Sequence, residues 1–274
     1  MEISWTTLLL AAGGGLIGTL TGGAEAFIIY GFVLIVQTIL TSAGHDMTFF
    51  NQYLANLLFL PCVMFSAAVP ATGYAARRHD IRSWEIDRSL AFTNDAGVLL
   101  VGALTGVIGY LIIALASNAG FPGDAGALSV VTVAVITRII FPKDRIVNKD
   151  AGRVFRDVNR WCFELTTAAA VSALTAFFVM KTGIVTVGFM MSASLMILQL
   201  FQRTQFFPTT HQITMVAALA AAASGSILPA VLFGCLAHII FTLFGGWLNM
   251  GCGTHIDPPA VAILTCSLLI SLIF

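Results

Sequence analysis

Charge is the scarcest property of this chain. Acidic and basic residues together make up 9% of its 274 positions, where a soluble domain carries about 25%. Hydrophobic residues make up 58%, and the mean hydropathy is +0.94. No water-soluble fold of this size hides that much apolar surface, so the solvent must be lipid. Long polar loops are missing too, which leaves no room for a soluble domain and makes residues 1–274 a single transmembrane domain. Soluble-enzyme motifs are absent: there is no P-loop, no G-x-G-x-x-G between strand and helix, and no H-E-x-x-H. The five cysteines include no C-x-x-C pair. An odd number scattered through apolar sequence reads as packing residues, not a disulfide framework. The N-terminal Met1-Glu2-Ile3-Ser4-Trp5 lacks a positive leader, so the first apolar segment is expected to be retained as a span.

What is present is apolar sequence in repeated segments. Ten windows stand out, at about 5–20, 27–43, 52–76, 96–117, 125–141, 161–180, 182–201, 212–225, 227–245 and 260–274. A straight span needs about 20 apolar residues. The shorter windows are therefore expected to be broken helices or re-entrant hairpins, and they cluster near both ends of the chain. The fold class is an all-α polytopic membrane protein of about ten short or broken segments.

Charge placement supports this count. Arg77, Arg78, Arg82 and Arg88 lie between the third and fourth segments. Arg138, Lys143, Arg145, Lys149, Arg153, Arg156 and Arg160 lie around the loop after the fifth, and Arg203 lies between the seventh and eighth. An alternating path puts all twelve on one face and leaves Lys181 alone on the other. By the positive-inside rule the crowded face is cytoplasmic, so both termini face outward, most naturally from a bacterial cytoplasmic membrane. The tryptophans Trp5, Trp84, Trp161 and Trp247 all fall at segment ends, as interfacial anchors do. A weak self-resemblance links the two ends. The first two segments lead to Ala43-Gly44-His45-Asp46, and the eighth and ninth to Gly253-Thr254-His255-Ile256-Asp257. On the alternating path these loops face opposite ways, as an inverted repeat requires.

Glu25 is the only charge between Trp5 and Ala43 and follows Gly22 and Gly23. A glycine break beside a mid-membrane carboxylate can coordinate a cation, whereas a turn at headgroup level would leave Glu25 merely solvated. Asp95 and Glu164 stand at segment starts, where capping and helix-dipole roles compete with ion binding. Thr209, Thr210, His211 and Gln212 follow Pro208 and crowd polar side chains at one helix start. The richest patch runs from Gly251 to Pro259. There Thr254, His255 and Asp257 offer hydrogen bonds, proton relay or metal ligation, and Asp257 before Pro258 also fits a helix cap. Gly22, Gly23, Gly225, Gly253 and Pro258 are the expected helix breaks. His238 is expected to hydrogen-bond to a neighbouring helix.

These candidates point to a secondary transporter for a small polar or ionic solute, coupled to a proton or sodium ion and needing no other cofactor. Glu25 or Asp257 would take the proton, with His211 and His255 as relays. The lipid bilayer is the expected surrounding, self-association into an oligomer fits the class, and no nucleic-acid partner is expected. An oligomeric channel, an intramembrane metalloenzyme built on His211, His255, Asp257 and Glu25, and a subunit of a larger membrane complex are the competing readings.

Overall fold

Every one of the ten apolar windows contains a helix. The computed structural model describes residues 1–141, 145–148, 157–200, 210–249 and 251–274. Among these are ten α-helices and no strand: α1 Trp5–Thr21, α2 Gly23–Ser42, α3 Met64–Ala75, α4 Ala96–Asn118, α5 Ala125–Ile140, α6 Val158–Thr182, α7 Val187–Leu195, α8 His211–Ser224, α9 Ile227–Leu248 and α10 Pro258–Ile273. Lys143, Lys149, Arg153, Arg156, Arg203, Pro208 and Thr209 lie outside the described residues.

Four of the helices, α2, α4, α6 and α9, are long and apolar enough to cross a membrane. Their outward faces would be costly in water: Leu100 is 60% exposed, Phe163 71% and Leu228 67%. The other six are shorter, and two expected segments are interrupted. The third opens as a π-helix at Phe50–Leu58, marked by the five-residue bond from Phe59 N to Leu54 O at 3.0 Å. The chain then turns at Pro61 and resumes as α3. The seventh is α7 followed by a 3₁₀ turn at Met196–Leu200.

The chain divides into two compact units. The first comprises described residues of Met1–Phe121, Ala125–Ile146 and Gly251–Ile256, and the second those of Pro122–Asp124, Val147–Met250 and Asp257–Phe274. In the first, α4 packs against α1, α3 and α5, while α3 also meets α1, α2 and α5. In the second, α9 packs against α6, α8 and α10, while α8 also meets α6, α7 and α10. The order is the same, helix for helix, with α1–α5 corresponding to α6–α10. The correspondence therefore relates the first five helices to the last five, not the two chain ends to each other.

Small residues allow this packing. A Cβ on Gly106 of α4 would stand 2.3 Å from the Ala11 carbonyl oxygen of α1, and one on Gly109 would stand 1.9 Å from that of Cys62. The non-helical backbone after the π-helix thus lies against bare glycine Cα atoms, where a larger residue would push it away. Irregular backbone survives at membrane depth when it is buried in protein in this way.

Candidate functional site

Glu25 lies in the first turn of α2, three residues beyond a tight junction at Gly22. Gly22 separates α1 from α2 with φ 108°, a left-handed conformation open to glycine. The amide of Gly23 donates to the Ile86 carbonyl at 2.8 Å, and that of Ala24 to Asp87 Oδ1 at 3.0 Å. The loop before α4 therefore supplies the acceptors that the first turn of α2 lacks. Glu25 is half-buried there, and its Oε2 has no hydrogen-bond partner among the described residues. Glycine thus makes a junction between two helices at this point, with two carboxylates, Glu25 and Asp87, beside one helix start.

Asp95 caps α4, accepting from the Gly97 amide at 2.8 Å. Its other oxygen lies 3.2 Å from His79 Nε2 and 3.8 Å from Arg78 Nε. The hydrogen bond from His79, followed by that of the Gly97 amide, holds this carboxyl below the usual carboxylate range.

Thr254 and His255 belong to the first unit, as does Arg138. Arg138, near the end of α5, is only 3% exposed. Its Nε donates to Thr254 Oγ1 at 3.2 Å, one terminal nitrogen to the Ile146 carbonyl at 2.7 Å, and the other to the Thr254 carbonyl. The Gly253 amide donates to the Arg145 carbonyl at 3.1 Å. Arg138 thereby ties the 251–256 strand of chain to the end of α5, and leaves Thr254 fully buried. The His255 ring meets Phe65 edge-on at 6.2 Å, and Phe65 packs at 4.4 Å on Phe27 of α2.

In the second unit, Asp257 is the N-cap of α10, its Oδ2 accepting from the Ala260 amide at 2.9 Å, with Pro258 in the first turn. His211 opens α8 and is 2% exposed, and Gln212 beside it is fully buried. The His211 ring meets Phe189 of α7 at 5.7 Å. One turn along α8, Thr214 Oγ1 lies 2.9 Å from Ser192 Oγ and also donates to the Gly188 carbonyl. Gly225 provides a left-handed cap at φ 64° between α8 and α9, its amide bonded to Ala221 O.

Glu164 and His238 meet across the α6–α9 contact. His238 Nε2 lies 3.0 Å from Glu164 Oε2, and Arg160 Nε donates to Glu164 Oε1 at 2.7 Å. Thr242 Oγ1 approaches His238 Nε2 at 3.5 Å, and Trp161 covers the ring edge-on at 6.1 Å. The side chain of His238 is 9% exposed, and its Nδ1 has no hydrogen-bond partner among the described residues. The expected helix-to-helix bond of His238 is present, and its partner is a carboxylate. Nothing in local spacing joins two residues 74 positions apart. The only sequence cue is that Glu164 is the one acidic residue of α6 and His238 the one histidine of the apolar α9.

Glu25, Asp95, Thr254 and His255 thus belong to the first unit, and Glu164, His211, Gln212 and Asp257 to the second. Among the described residues no three His, Cys, Asp or Glu side chains gather as metal ligands.

A family profile matches over residues 1–157 and 157–274. The chain belongs to DUF7973, a family of unknown function. No curated protein and no solved structure matches it. Membership therefore groups the chain with relatives without assigning chemistry, and the arrangement of side chains carries the functional argument.

Proposed function

We propose that the chain is a secondary membrane transporter for a small polar or ionic solute, with Glu164 and His238 as its proton- or cation-coupling pair. One observation carries this reading: a titratable pair occupies, in the second unit, the place where the first unit has only backbone contact. At the α1–α4 contact a Cβ on Gly102 would meet Thr19 Oγ1, and at the α6–α9 contact one on Gly234 would meet Ser172 Oγ, each at 1.9 Å. With these contacts aligned, four residues on from Gly102 is Gly106, and four on from Gly234 is His238. Eight residues back from Thr19 is Ala11, and eight back from Ser172 is Glu164. Ala11 and Gly106 touch through backbone, whereas Glu164 and His238 touch through hydrogen-bonded side chains.

The transport reading follows from the cost of that substitution. Ionisable groups on membrane helices are expensive and mark ion or proton paths. A helix contact needing only close packing is served by alanine and glycine, as α1 and α4 show. If all five helices of each unit cross the bilayer, an odd number of crossings gives the second unit the opposite polarity, the arrangement of inverted-repeat carriers. Neutral His238 can accept a proton at Nδ1 while Nε2 remains on Glu164. The resulting imidazolium would share the carboxylate with Arg160, changing the electrostatic bond between α6 and α9 with each proton. Glu25 remains a candidate for a second coupling group in the first unit. Asp257 is committed to the start of α10 and is better suited to holding that helix.

The experiment is solute-evoked proton movement into proteoliposomes loaded with a pH-sensitive dye. Amino acids, sugars, organic acids and monovalent cations form the panel. At least one solute is expected to change internal pH in wild-type vesicles, and Glu164→Gln and His238→Gln should each remove the response. Solute flux that is indifferent to any imposed proton or sodium gradient would support the channel reading in its place.

A further inference from the structure

The π-helix that interrupts the third segment does more than break a span. Extended π-helical turns are rare and concentrate at functional sites. This one, Phe50–Leu58, buries Ala55 and Leu57 and places Asn51, Gln52 and Asn56 along a cleft of about 450 Å³ in the first unit. Glu2, Thr7 and Tyr110 are also among its walls. The volume lies in the range of small-molecule sites. Three carboxamides in an otherwise apolar segment are unusual, since each costs free energy in lipid unless something bonds it.

We propose that this cleft binds a small uncharged solute rich in O–H or N–H donors. Two of its hydroxyl donors are committed within the chain. Tyr110 donates its hydroxyl to the Glu2 carbonyl, and Thr7 donates to the Ser4 carbonyl at 2.9 Å. The Thr7 hydroxyl oxygen in turn accepts from the Ser4 amide at 2.9 Å. Asn51 Oδ1 is buried and has no hydrogen-bond partner among the described residues. An acceptor left in that state is unfavourable, and a donor on a bound solute would supply the missing bond. Gln52 and Asn56 are exposed and can both give and take hydrogen bonds. No Lys, Arg or His side chain lines the cleft, so it offers no side-chain cation to an anionic solute. The one carboxylate, on Glu2, is exposed, and the Met1 amino group beside it donates to Asn118 Oδ1. A full positive charge on the solute would therefore find no buried counter-charge.

Binding here is separate from transport and is read without it. A cysteine at Gln52 (Gln52→Cys) in detergent-purified full chain is labelled with N-ethylmaleimide, and its peptide is followed by mass spectrometry. Ala119→Cys, exposed and outside the cleft, is the control. Erythritol and urea are the uncharged probes; tetramethylammonium and acetate are the charged ones. An uncharged probe is expected to slow labelling at position 52 several-fold and leave position 119 unchanged. Asn51→Leu should abolish this protection, and Asn56→Ala, at an exposed position that tolerates truncation, should weaken it if the first variant does not fold. The proposal is overturned if neither uncharged probe protects, or if tetramethylammonium or acetate protects as well. It is also overturned if protection survives both substitutions.

Discussion

The two five-helix units pack in the same order but hold their central contacts by different means. At the α1–α4 contact, Ala11 and Gly106 bring backbone against backbone, and bulk is what the site excludes. At the equivalent α6–α9 contact, Glu164 and His238 face each other as a hydrogen-bonded pair flanked by Arg160 and Trp161. One scaffold thus serves once as a steric fit and once as a titratable contact. The difference shows that packing order does not require the polar pair.

The largest expected effect comes from carrying the second unit's residue into the first. Gly106→His would place its Cβ 2.3 Å from the Ala11 carbonyl, with backbone on the opposing side that cannot swing away. We expect no monodisperse peak for this variant in detergent size-exclusion chromatography. A well-folded Gly106→His would show that the first contact is looser than its geometry implies.

The reverse change should be milder. His238→Ala leaves Glu164 with Arg160 alone, and losing one partner of a partly buried pair costs about 1–3 kcal/mol. The protein is expected to fold with a lowered thermal midpoint. A double-mutant cycle with Glu164→Gln should return a coupling energy within that range. Additive effects of the two changes would mean that the pair contributes nothing as a pair.

A smaller effect is expected at the cap of α10. Asp257→Ala should cost about 1 kcal/mol, as loss of an N-cap does, while Asp257→Asn should stay close to wild type because asparagine caps equally well. Thermal unfolding of both variants checks this. If Asn destabilises as much as Ala, Asp257 acts through its charge, on His211 for instance, and not as a cap.

The smallest effect is electrostatic and lies in the loop region of the first unit. His79, the Gly97 amide and Arg78 depress the Asp95 carboxyl. A depressed carboxyl contributes stability that is present above its unfolded value, about pH 4, and is lost as pH falls through the folded value. Asp95→Asn should therefore flatten the acid limb of a stability–pH profile, costing a little stability at neutral pH and converging on wild type in acid. An unchanged acid limb would assign acid sensitivity to other carboxylates.

Helix positions were largely legible in the sequence, because runs of apolar residues and their caps are local signals. Asp257-Pro258 marked the start of α10, and Asp95 the start of α4. The interruptions were less legible. Residues 52–76 read as one apolar window, yet the helix breaks at Pro61, and the glycine faces that shelter the break come from α1 and α4. Arg138 stands at the end of the fifth apolar segment and counts with the cytoplasmic cations because it leads into a basic stretch. Its burial depends on Thr254, 116 residues away, whose carbonyl and hydroxyl satisfy the guanidinium.

The sequence by itself determined that this chain is an apolar, helix-forming protein with few charges, because composition and periodicity act within one helix length. It also singled out Glu164, His238, Asp95 and Thr254 as polar groups in or beside apolar segments. Tertiary structure alone decided which of them meet: Glu164 with His238, Asp95 with His79, and Arg138 with Thr254. Such pairings depend on which helix faces which across tens of residues. That choice is set by where glycine lets two backbones close, and no local pattern records it.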